Sequence, residues 1–382
     1  MSSRVKRLMR MLGGTLAVVS TMPLFASPGS AVAAGRDTVP DWIVSLPLAQ
    51  TPADAQKVID YWKPERLKKA SSYAPSRKAS ATPAPKTSTK AAKGVSDLLT
   101  HTGSVKASSI RPTQGAATMK AALPATVGKV FFKVGDKEYW CSGSAVHSAN
   151  KNLVATAGHC AFDFRQAKAV EDWIFIPGYT SDDATDLGIY VGHTLNLHQS
   201  FASLGDFDYD YAFVTVNRGF AWQVDKDVNG QPKKDAKGNP VYRAVDKGRL
   251  EDNVGGQGFL WNQKLKTATY AFGYPAGAQP DGSRPYNGSA LKWCYSKSTM
   301  RVTAPNWLLN RGISLSCTFT SGASGGPWLI RYNSSTRSGY LNGVNSLNWD
   351  RDANHRFDHV SSPYFNTATY MIYKHATEQT TG

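Results

Sequence analysis

Short apolar runs separated by Gly, Asn, Asp and Pro fill most of the chain from residue 126 to residue 382. The runs at 129–134 and 211–216 are rich in β-branched and aromatic side chains, a composition typical of β-strands. Helical spacing stands out at the C-terminus, in four apolar residues that follow Pro363: Phe365, Ala368, Ile372 and Ala376. The pattern therefore predicts an all-β domain that ends in a helix.

Residues 35–125 have a different composition. The pattern over 53–69 allows a short amphipathic helix, but 71–118 is rich in Ser, Ala, Pro, Thr and Lys and has few large apolar residues. Such a segment buries too little surface to offset the entropy cost of ordering it. We therefore expect 35–125 to be a largely disordered pro-segment that is removed on maturation, with a permanent linker as the alternative. The mature chain would then start near 123–127.

The N-terminus has the organisation of an export signal. A basic cluster precedes an apolar stretch at 11–26 and the small-residue motif Ala31-Val32-Ala33. The cluster consists of Arg4, Lys6, Arg7 and Arg10. Because the apolar stretch is short and interrupted by Gly, Ser and Pro, we predict a cleaved signal peptide over 1–34 rather than a retained anchor. The protein is thus expected to be secreted and extracellular, without stable membrane association.

The positive charge lies mostly outside the predicted domain. The formal net charge is +16, from 44 Lys and Arg against 28 Asp and Glu. Residues 1–34 carry +4 and residues 35–125 carry +8, which leaves +4 for 126–382, from 26 basic against 22 acidic side chains. A nucleic-acid-binding domain concentrates basic charge on its folded surface, so this distribution does not support a nucleic-acid partner.

Candidate chemistry begins in the turn at 320–327, Thr-Ser-Gly-Ala-Ser-Gly-Gly-Pro. Gly322 gives the backbone a freedom that a side chain would remove, so the N–H groups of Gly322 and Ser324 can point at one spot and form an oxyanion hole. Ser324 presents a hydroxyl in the same turn. Gly-Ser turns are common in loops, and a serine hydroxyl is inert without a base, so a nucleophile needs a second observation.

His159 is the candidate base. It follows a β-prone run at 154–158 that ends in small residues, which allow another segment to approach the imidazole. Cys160 comes next, and Cys141 lies on the preceding predicted strand. A hairpin that turns around 148–152 would bring the two cysteines together. A disulfide there would hold the loop of His159, which favours a catalytic histidine over a structural one.

Three carboxylates precede the strand at 211–216: Asp206, Asp208 and Asp210. A carboxylate that orients an imidazole has to be held rigidly. Asp210 adjoins the strand, so we predict that it is the partner of His159. Asp208 has the same side-chain parity and is the reserve candidate, whereas Asp206 fits a solvated loop.

With His159, Asp210 and Ser324 in this order, the chain resembles the chymotrypsin-fold serine peptidases, and among them the secreted bacterial branch that includes glutamyl endopeptidases. The matching segments cover about 126–375: TAGHC at 156–160, DYDYAFV at 208–214, AFGYP at 271–275, SGASGGPW at 321–328 and GVNS at 343–346. The resemblance implies a serine endopeptidase that uses no cofactor and acts on protein or peptide substrates. We expect it to be a monomer.

The same resemblance implies the domain plan. Two six-stranded antiparallel β-barrels would occupy about 126–222 and 259–382, with an insertion at 223–258 and the terminal helix at the end of the second barrel. The cleft between the barrels would hold His159 and Asp210 from the first barrel and Ser324 from the second.

The chain also departs from its relatives. Ala323 stands where many animal members carry an aspartate that captures the new N-terminus, so that activation route is absent. Thr318 stands near the floor of the specificity pocket in place of an acid, so cleavage after Lys or Arg is not expected. Asn345 replaces the histidine of glutamate-specific relatives and adds no charge, which puts glutamate specificity in doubt. We predict a polar pocket lined by Thr318, Asn345 and Ser346, with its preference open.

The four cysteines, Cys141, Cys160, Cys294 and Cys317, are even in number, as in exported proteins with disulfides. The natural pairing is Cys141–Cys160 and Cys294–Cys317, although the sequence alone leaves the connectivity open. The chain has no CxxC motif, so we expect no zinc or redox site. The segment from Asp225 resembles the start of a calcium loop, but Ala236 stands at the closing glutamate position. An exposed hairpin is the better interpretation, with no metal.

Two other functions stay open. Residues 322–326 match the G-x-S-x-G elbow of α/β-hydrolases, which would make the protein an esterase. That fold needs an acid and a histidine after the serine, and alternating helices, and only 58 residues follow Ser324. The acids available there are Asp350 and Asp352, and the histidines are His355 and His359. The other alternative is a catalytically silent relative that acts as a binding protein.

Overall fold

The computed structural model describes residues 39–76, 102–108, 123–180 and 186–381. The predicted signal peptide lies outside these residues, and so does most of the segment between 77 and 122. Within the described ranges, no helix is long and apolar enough to cross a membrane. Strands dominate the fold, as the apolar pattern predicted.

The N-terminal segment, defined as residues 39–76, consists of short regular elements. They are strand β1 (Ile43–Pro47), helices α1 (Pro52–Tyr61) and α2 (Pro64–Leu67), and strand β2 (Ser71–Ser72). The helix that the pattern allowed over 53–69 is thus present as two helices, because a proline fits only the first turn of a helix and Pro64 begins a new one. A further strand, β3 (Ser104–Val105), follows later in the chain.

This segment differs from the expected largely disordered 35–125. Trp62 is fully buried, and Val58, Leu67 and Ala70 are buried with it. Together they give the segment an apolar face that its average composition conceals. The order of 39–76 therefore comes from a few large side chains packed on the neighbouring barrel.

The first barrel is a closed ring of six antiparallel strands. Its strands are β4 (Val127–Val134), β5 (Lys137–Ala145), β6 (Leu153–Thr156), β9 (Glu171–Pro177), β10 (Tyr190–His198) and β11 (Ala212–Val216), and the hairpin β7 (Phe162–Asp163) and β8 (Lys168–Ala169) lies between β6 and β9. The pairing order β10-β11-β6-β5-β4-β9 returns to β10. Strand β1 of the N-terminal segment pairs with β10, and β2 pairs with β5.

Helix α3 (Gln199–Leu204) follows β10, and a separate hairpin follows β11. The hairpin consists of β12 (Gly219–Val224) and β13 (Tyr242–Gly248), and helix α4 (Leu250–Val254) comes after it. Residues 226–240, at its tip, are exposed. The segment around Asp225 is thus part of an exposed hairpin, as the turn residues indicated.

The second half contains two sheets. Its strands are β14 (Gly258–Leu260), β15 (Thr269–Gly273), β16 (Lys292–Ser296), β17 (Met300–Ala304), β18 (Leu309–Ser316), β19 (Pro327–Asn333), β20 (Ser338–Val344), β21 (Asn348–Trp349) and β22 (His359–Ser362). One sheet has the order β16-β15-β19-β20-β14-β3 and the other β17-β18-β22-β21. The Val344 N–H donates to Ser362 Oγ at 3.0 Å and joins the two sheets.

The predicted C-terminal helix is confirmed as α5 (Thr367–Thr377). Asn366 caps it by accepting the Thr369 N–H, and the Thr369 side chain accepts the Asn366 N–H in return. Its buried face includes Ala368, Ile372 and Ala376, the residues whose spacing predicted the helix. This face contacts β10 and β11, so α5 fastens the end of the chain to the first barrel.

Candidate active site

His159 lies in a 3₁₀ turn, Gly158–Cys160, directly after β6. The disulfide Cys141–Cys160, with a Cα–Cα distance of 6.1 Å, links this turn to β5 as the hairpin argument predicted. A side chain at Gly158 would meet the Phe201 ring at 2.8 Å, so only glycine allows the turn to pack this closely. The imidazole is held rigidly and is 1% exposed.

Cys141, His159 and Cys160 also place their ligand atoms within 4.8 Å of one another. Metal binding by cysteine requires a thiolate, and here the two sulfur atoms are bonded to each other. The cluster therefore serves to fix the histidine.

Asp210 is fully buried and contacts His159. Its carboxylate accepts the His159 backbone N–H at 2.9 Å and lies 2.8 Å from His159 Nδ1. The Ser346 hydroxyl donates to the same carboxylate at 2.6 Å. Three donors thus hold the carboxylate. The carboxylate in turn fixes the orientation of the imidazole, with the Nδ1 edge toward Asp210 and the Nε2 edge away from it. Nε2 is left as the nitrogen available for proton transfer.

Asp208, the reserve candidate, lies elsewhere. Its carboxylate accepts the backbone N–H groups of Asn310 and Arg311 at 2.9 and 2.7 Å, and the Arg311 side chain approaches it at 3.3 Å. These residues belong to β18 in the second half of the chain. Asp208 therefore joins the two halves, while Asp210 is the carboxylate next to the imidazole.

Ser324 lies in the glycine-rich turn that precedes β19. Gly322 and Gly325 have φ angles of +95° and +80°, which side-chain-bearing residues rarely adopt. A side chain on Gly325 would lie 2.8 Å from the backbone nitrogen of Ala157, so the turn packs against the strand that leads to His159. The serine turn and the strand before the histidine turn, which are far apart in the sequence, thus lie side by side.

Ser142 on β5 fixes the position of this turn. Its N–H donates to the Ser324 carbonyl at 2.7 Å, and its hydroxyl donates to the Gly322 carbonyl at 2.9 Å. The same hydroxyl accepts the Tyr274 N–H at 2.9 Å. One buried serine of the first barrel therefore positions two segments of the second half, and no local sequence motif marked it.

Several polar groups around the site, the Thr320 hydroxyl among them, have no hydrogen-bond partner among the described residues, and two of these groups matter for the chemistry of the site. One is His159 Nε2, which is buried. The other is the Ser324 N–H. A buried polar atom without a partner is costly and uncommon, and such atoms concentrate at reactive sites. His159 Nε2 is an unused proton acceptor, and the Ser324 N–H is an unused donor for a negatively charged oxygen.

The residues predicted to line the specificity pocket have other contacts. Asn345 is 1% exposed, and its amide donates to the Phe272 and Ala323 carbonyls and accepts the Trp328 indole N–H. All of its polar atoms are thereby engaged behind the serine turn. Ser346 donates to Asp210 rather than to a pocket. Both side chains were predicted to line the pocket. In the structure, the Asn345 side chain instead supports the serine turn, and the Ser346 side chain holds the Asp210 carboxylate.

Thr318, the third predicted pocket residue, is exposed. Its hydroxyl is 2.6 Å from the Tyr286 hydroxyl, and its carbonyl accepts from Gln279. It lies next to Cys317, whose disulfide to Cys294 links the end of β18 to β16. The second predicted disulfide is thus present, and it braces the strand that leads into the serine turn.

A second buried histidine, His198, packs near the loop that carries Asp210. Its ring is 3.7 Å from the Tyr209 ring, centroid to centroid, and 5.0 Å from that of Trp42. Burial, with a smaller contribution from the Arg311 charge, lowers the pKa of His198 to about 3. Tyr209 is the neighbour of Asp210, so His198 packs against the loop that carries the carboxylate.

Solved structures that share this architecture include two proteases. The protease Anisep from Arthrobacter nicotinovorans is 29% identical, with a TM-score of 0.51, over 68% of this chain and 98% of its own. The thermostable serine protease AL20 from an extremophilic microorganism is 26% identical, with a TM-score of 0.50, over 66% of this chain and 99% of its own. A third, a Glu endopeptidase in complex with MPD, reaches only 16% identity and a TM-score of 0.46 over 72% of this chain and 98% of its own.

No protein-family model matches the sequence, and no curated protein matches it either. The third structure is too dissimilar to bear on the specificity of this chain. The first two show that the chain has the chymotrypsin fold of bacterial serine proteases, as the sequence resemblance implied.

Proposed function

We propose that this chain, a chymotrypsin-fold protein of the bacterial serine protease type, is a secreted endopeptidase that uses Ser324, His159 and Asp210 as its triad. The observation that carries the proposal is the buried His159–Asp210 pair beside the Ser324 turn, with Nε2 of the imidazole unpartnered. The relatives that share the fold are named as proteases, which supports the same activity.

The reaction would proceed by acyl transfer. His159 Nε2 accepts the proton of the Ser324 hydroxyl as Ser324 Oγ attacks the carbonyl carbon of the scissile bond. The N–H groups of Gly322 and Ser324 donate to the oxyanion. His159 then gives the proton to the leaving amine, and water releases the acyl group by the same steps in reverse. Asp210 acts through His159, since it holds the imidazole tautomer and stabilises the imidazolium.

Substrates would be proteins or peptides, cut by a protein that works as a monomer without a cofactor. We do not expect cleavage after Lys or Arg, because Thr318 is not an acid. Residues 1–34 would direct export and then be removed, and the two disulfides support an oxidising compartment outside the cytoplasm. The proposed peptidase domain is 126–382, and 35–125 is the proposed pro-segment.

Hydrolysis of casein, before and after treatment with a serine-protease inhibitor, tests the proposal. We expect inhibitor-sensitive hydrolysis that is absent in Ser324→Ala. Hydrolysis that persists in this variant would contradict the role of Ser324.

One observation favours a second candidate, a catalytically silent binding protein. The N-terminal segment covers His159, so the described chain presents no open cleft at this residue. Stable binding of casein without hydrolysis, unchanged after the segment is removed, would support this candidate over the peptidase.

A further inference from the structure

The last residues of the N-terminal segment run along the candidate active site. Strand β2 pairs with Tyr139 and Trp140 of β5, two and one residues before the cysteine that anchors the histidine turn. The Tyr73 N–H continues this pairing by donating to the Trp140 carbonyl at 2.9 Å. Peptides commonly bind to proteins in this way, as an extended strand added to the edge of a sheet, because the peptide backbone supplies the hydrogen bonds.

Tyr73 also takes a donor that the proposed reaction needs. Its carbonyl accepts the Gly322 N–H at 3.3 Å. Gly322 N–H is one of the two proposed oxyanion donors, and it cannot be directed at a substrate oxygen while Tyr73 holds it. The bound position of Tyr73 and the productive position of a substrate carbonyl are therefore mutually exclusive.

The Tyr73 side chain fills an aromatic subsite next to the imidazole. Its ring centroid is 5.2 Å from Phe132, 5.1 Å from Tyr139 and 6.1 Å from His159, and Tyr73 is 8% exposed. The edge-to-face contacts with Phe132 and Tyr139 are those that aromatic pairs prefer. This aromatic subsite, formed by Phe132, Tyr139 and His159, suits a flat aromatic side chain of an extended peptide.

The rest of the segment anchors Tyr73 to the first barrel and to the hairpin that follows it. Strand β1 pairs with β10, and the Trp62 carbonyl accepts the Trp222 indole N–H at 3.0 Å. Arg66 forms an ion pair with Glu138 at 2.9 Å, one residue before the strand positions that pair with β2. Because Tyr73 belongs to the same chain and its segment is anchored nearby, its effective concentration at the site is on the order of millimolar or higher.

We propose that the aromatic subsite binds an aromatic residue of an extended peptide, and that Tyr73 occupies it in the full chain and blocks the site. The inference rests on the proposed function. Binding of a substrate requires β2 and Tyr73 to leave β5. The segment thus acts as a tethered competitor until it is displaced or removed.

The test compares the full chain with Tyr73→Ala and with Tyr73→Phe, which keeps the ring. The readout is the rate at which a fluorophosphonate probe labels Ser324, mapped by mass spectrometry, with thermal melting to check that each variant folds. We expect at least about tenfold faster labelling of Tyr73→Ala, since a competent state that is only fractionally populated slows a reaction by that fraction. Tyr73→Phe should label at the rate of the unaltered chain.

A peptide added in trans tests the subsite itself. The peptide Ser-Ser-Tyr-Ala-Pro, the sequence of residues 71–75, should slow the labelling of Tyr73→Ala again, whereas Ser-Ser-Ala-Ala-Pro should not. Equal, rapid labelling of all three proteins at Ser324 would overturn the inference and leave the proposed function standing. Equal slowing by the two peptides would overturn the aromatic preference of the subsite.

Carbethoxylation of His159 by diethyl pyrocarbonate separates the two proposals, because it needs access to the imidazole and no catalysis. Faster modification in Tyr73→Ala, with no labelling of Ser324 in any protein, would overturn the proposed function while the covering of His159 stands. Unchanged modification together with absent labelling would overturn both.

Discussion

Ser346→Ala removes a buried hydrogen bond to the carboxylate that orients His159. Ser346 donates to Asp210 at 2.6 Å, and the two residues are 5% and 0% exposed, so water does not replace the lost donor. A hydrogen bond to a charged group contributes about 1.5–3 kcal/mol. If most of this free energy stabilises the transition state, in which the imidazolium forms, kcat should fall about 10- to 100-fold. KM should change little, because Ser346 acts through Asp210.

The assay is turnover of a peptide substrate, with Ser362→Ala as the matched control. Ser362 Oγ accepts the Val344 N–H on the neighbouring strand and has no contact with Asp210 in the described structure. Ser362→Ala should lower the free energy of unfolding and leave kcat within about twofold of the unaltered protein, since the lost hydrogen bond joins two strands and does not reach the carboxylate. An unaltered kcat in Ser346→Ala, or the same loss in both variants, would refute the reasoning.

Three further results follow from the same contacts. Asp210→Asn should lower kcat by roughly 10³–10⁴-fold, because it loses the tautomer control over His159, as measured by peptide turnover. Asp208→Asn should instead lower the melting temperature, because it weakens the link to Arg311, with kcat nearly kept; a larger kcat loss than in Asp210→Asn would exchange the two roles. The pKa of about 3 for His198, below its ordinary 6.5, means that only the unfolded state binds a proton between these values. The contribution of His198 to the free energy of unfolding should thus be constant above pH 6.5 and fall by about 1.4 kcal/mol per pH unit from pH 6.5 toward pH 3. Denaturant titrations should show that His198→Asn removes this slope; identical slopes in the two proteins would argue against a buried neutral His198.

The sequence predicted the parts of the site that are encoded locally. The serine turn needs glycine at positions with positive φ, and the cysteine beside His159 needs a partner on the adjacent strand, so both leave marks in short segments. Asp210 was separable from Asp208 only by its distance from the strand, and in the structure the Asp210 carboxylate lies 2.8 Å from His159 Nδ1. The apolar runs indicated the strands at 129–134 and 211–216, and the helical spacing of apolar residues indicated α5.

The residues that were missed act through contacts between distant segments. Ser142 and Ser346 are single serines in strands or strand ends, and nothing nearby indicates which group they meet across the interface between the two halves. Asn345 was expected in a pocket because it stands where glutamate-specific relatives carry a histidine. In the structure its amide is buried, where it donates to the Phe272 carbonyl and accepts the Trp328 indole N–H. Composition averaged over 35–125 likewise concealed the few aromatic residues that order 39–76.

Adduct mapping tests the central claim most directly, that His159 activates Ser324. The full chain carrying Tyr73→Ala is treated with a fluorophosphonate and digested, and the modified residue is identified by mass spectrometry. The account predicts one adduct, on Ser324, that disappears when Ser324→Ala is added and forms far more slowly when His159→Ala is added. An adduct on another residue, or equal labelling after either substitution, would contradict it.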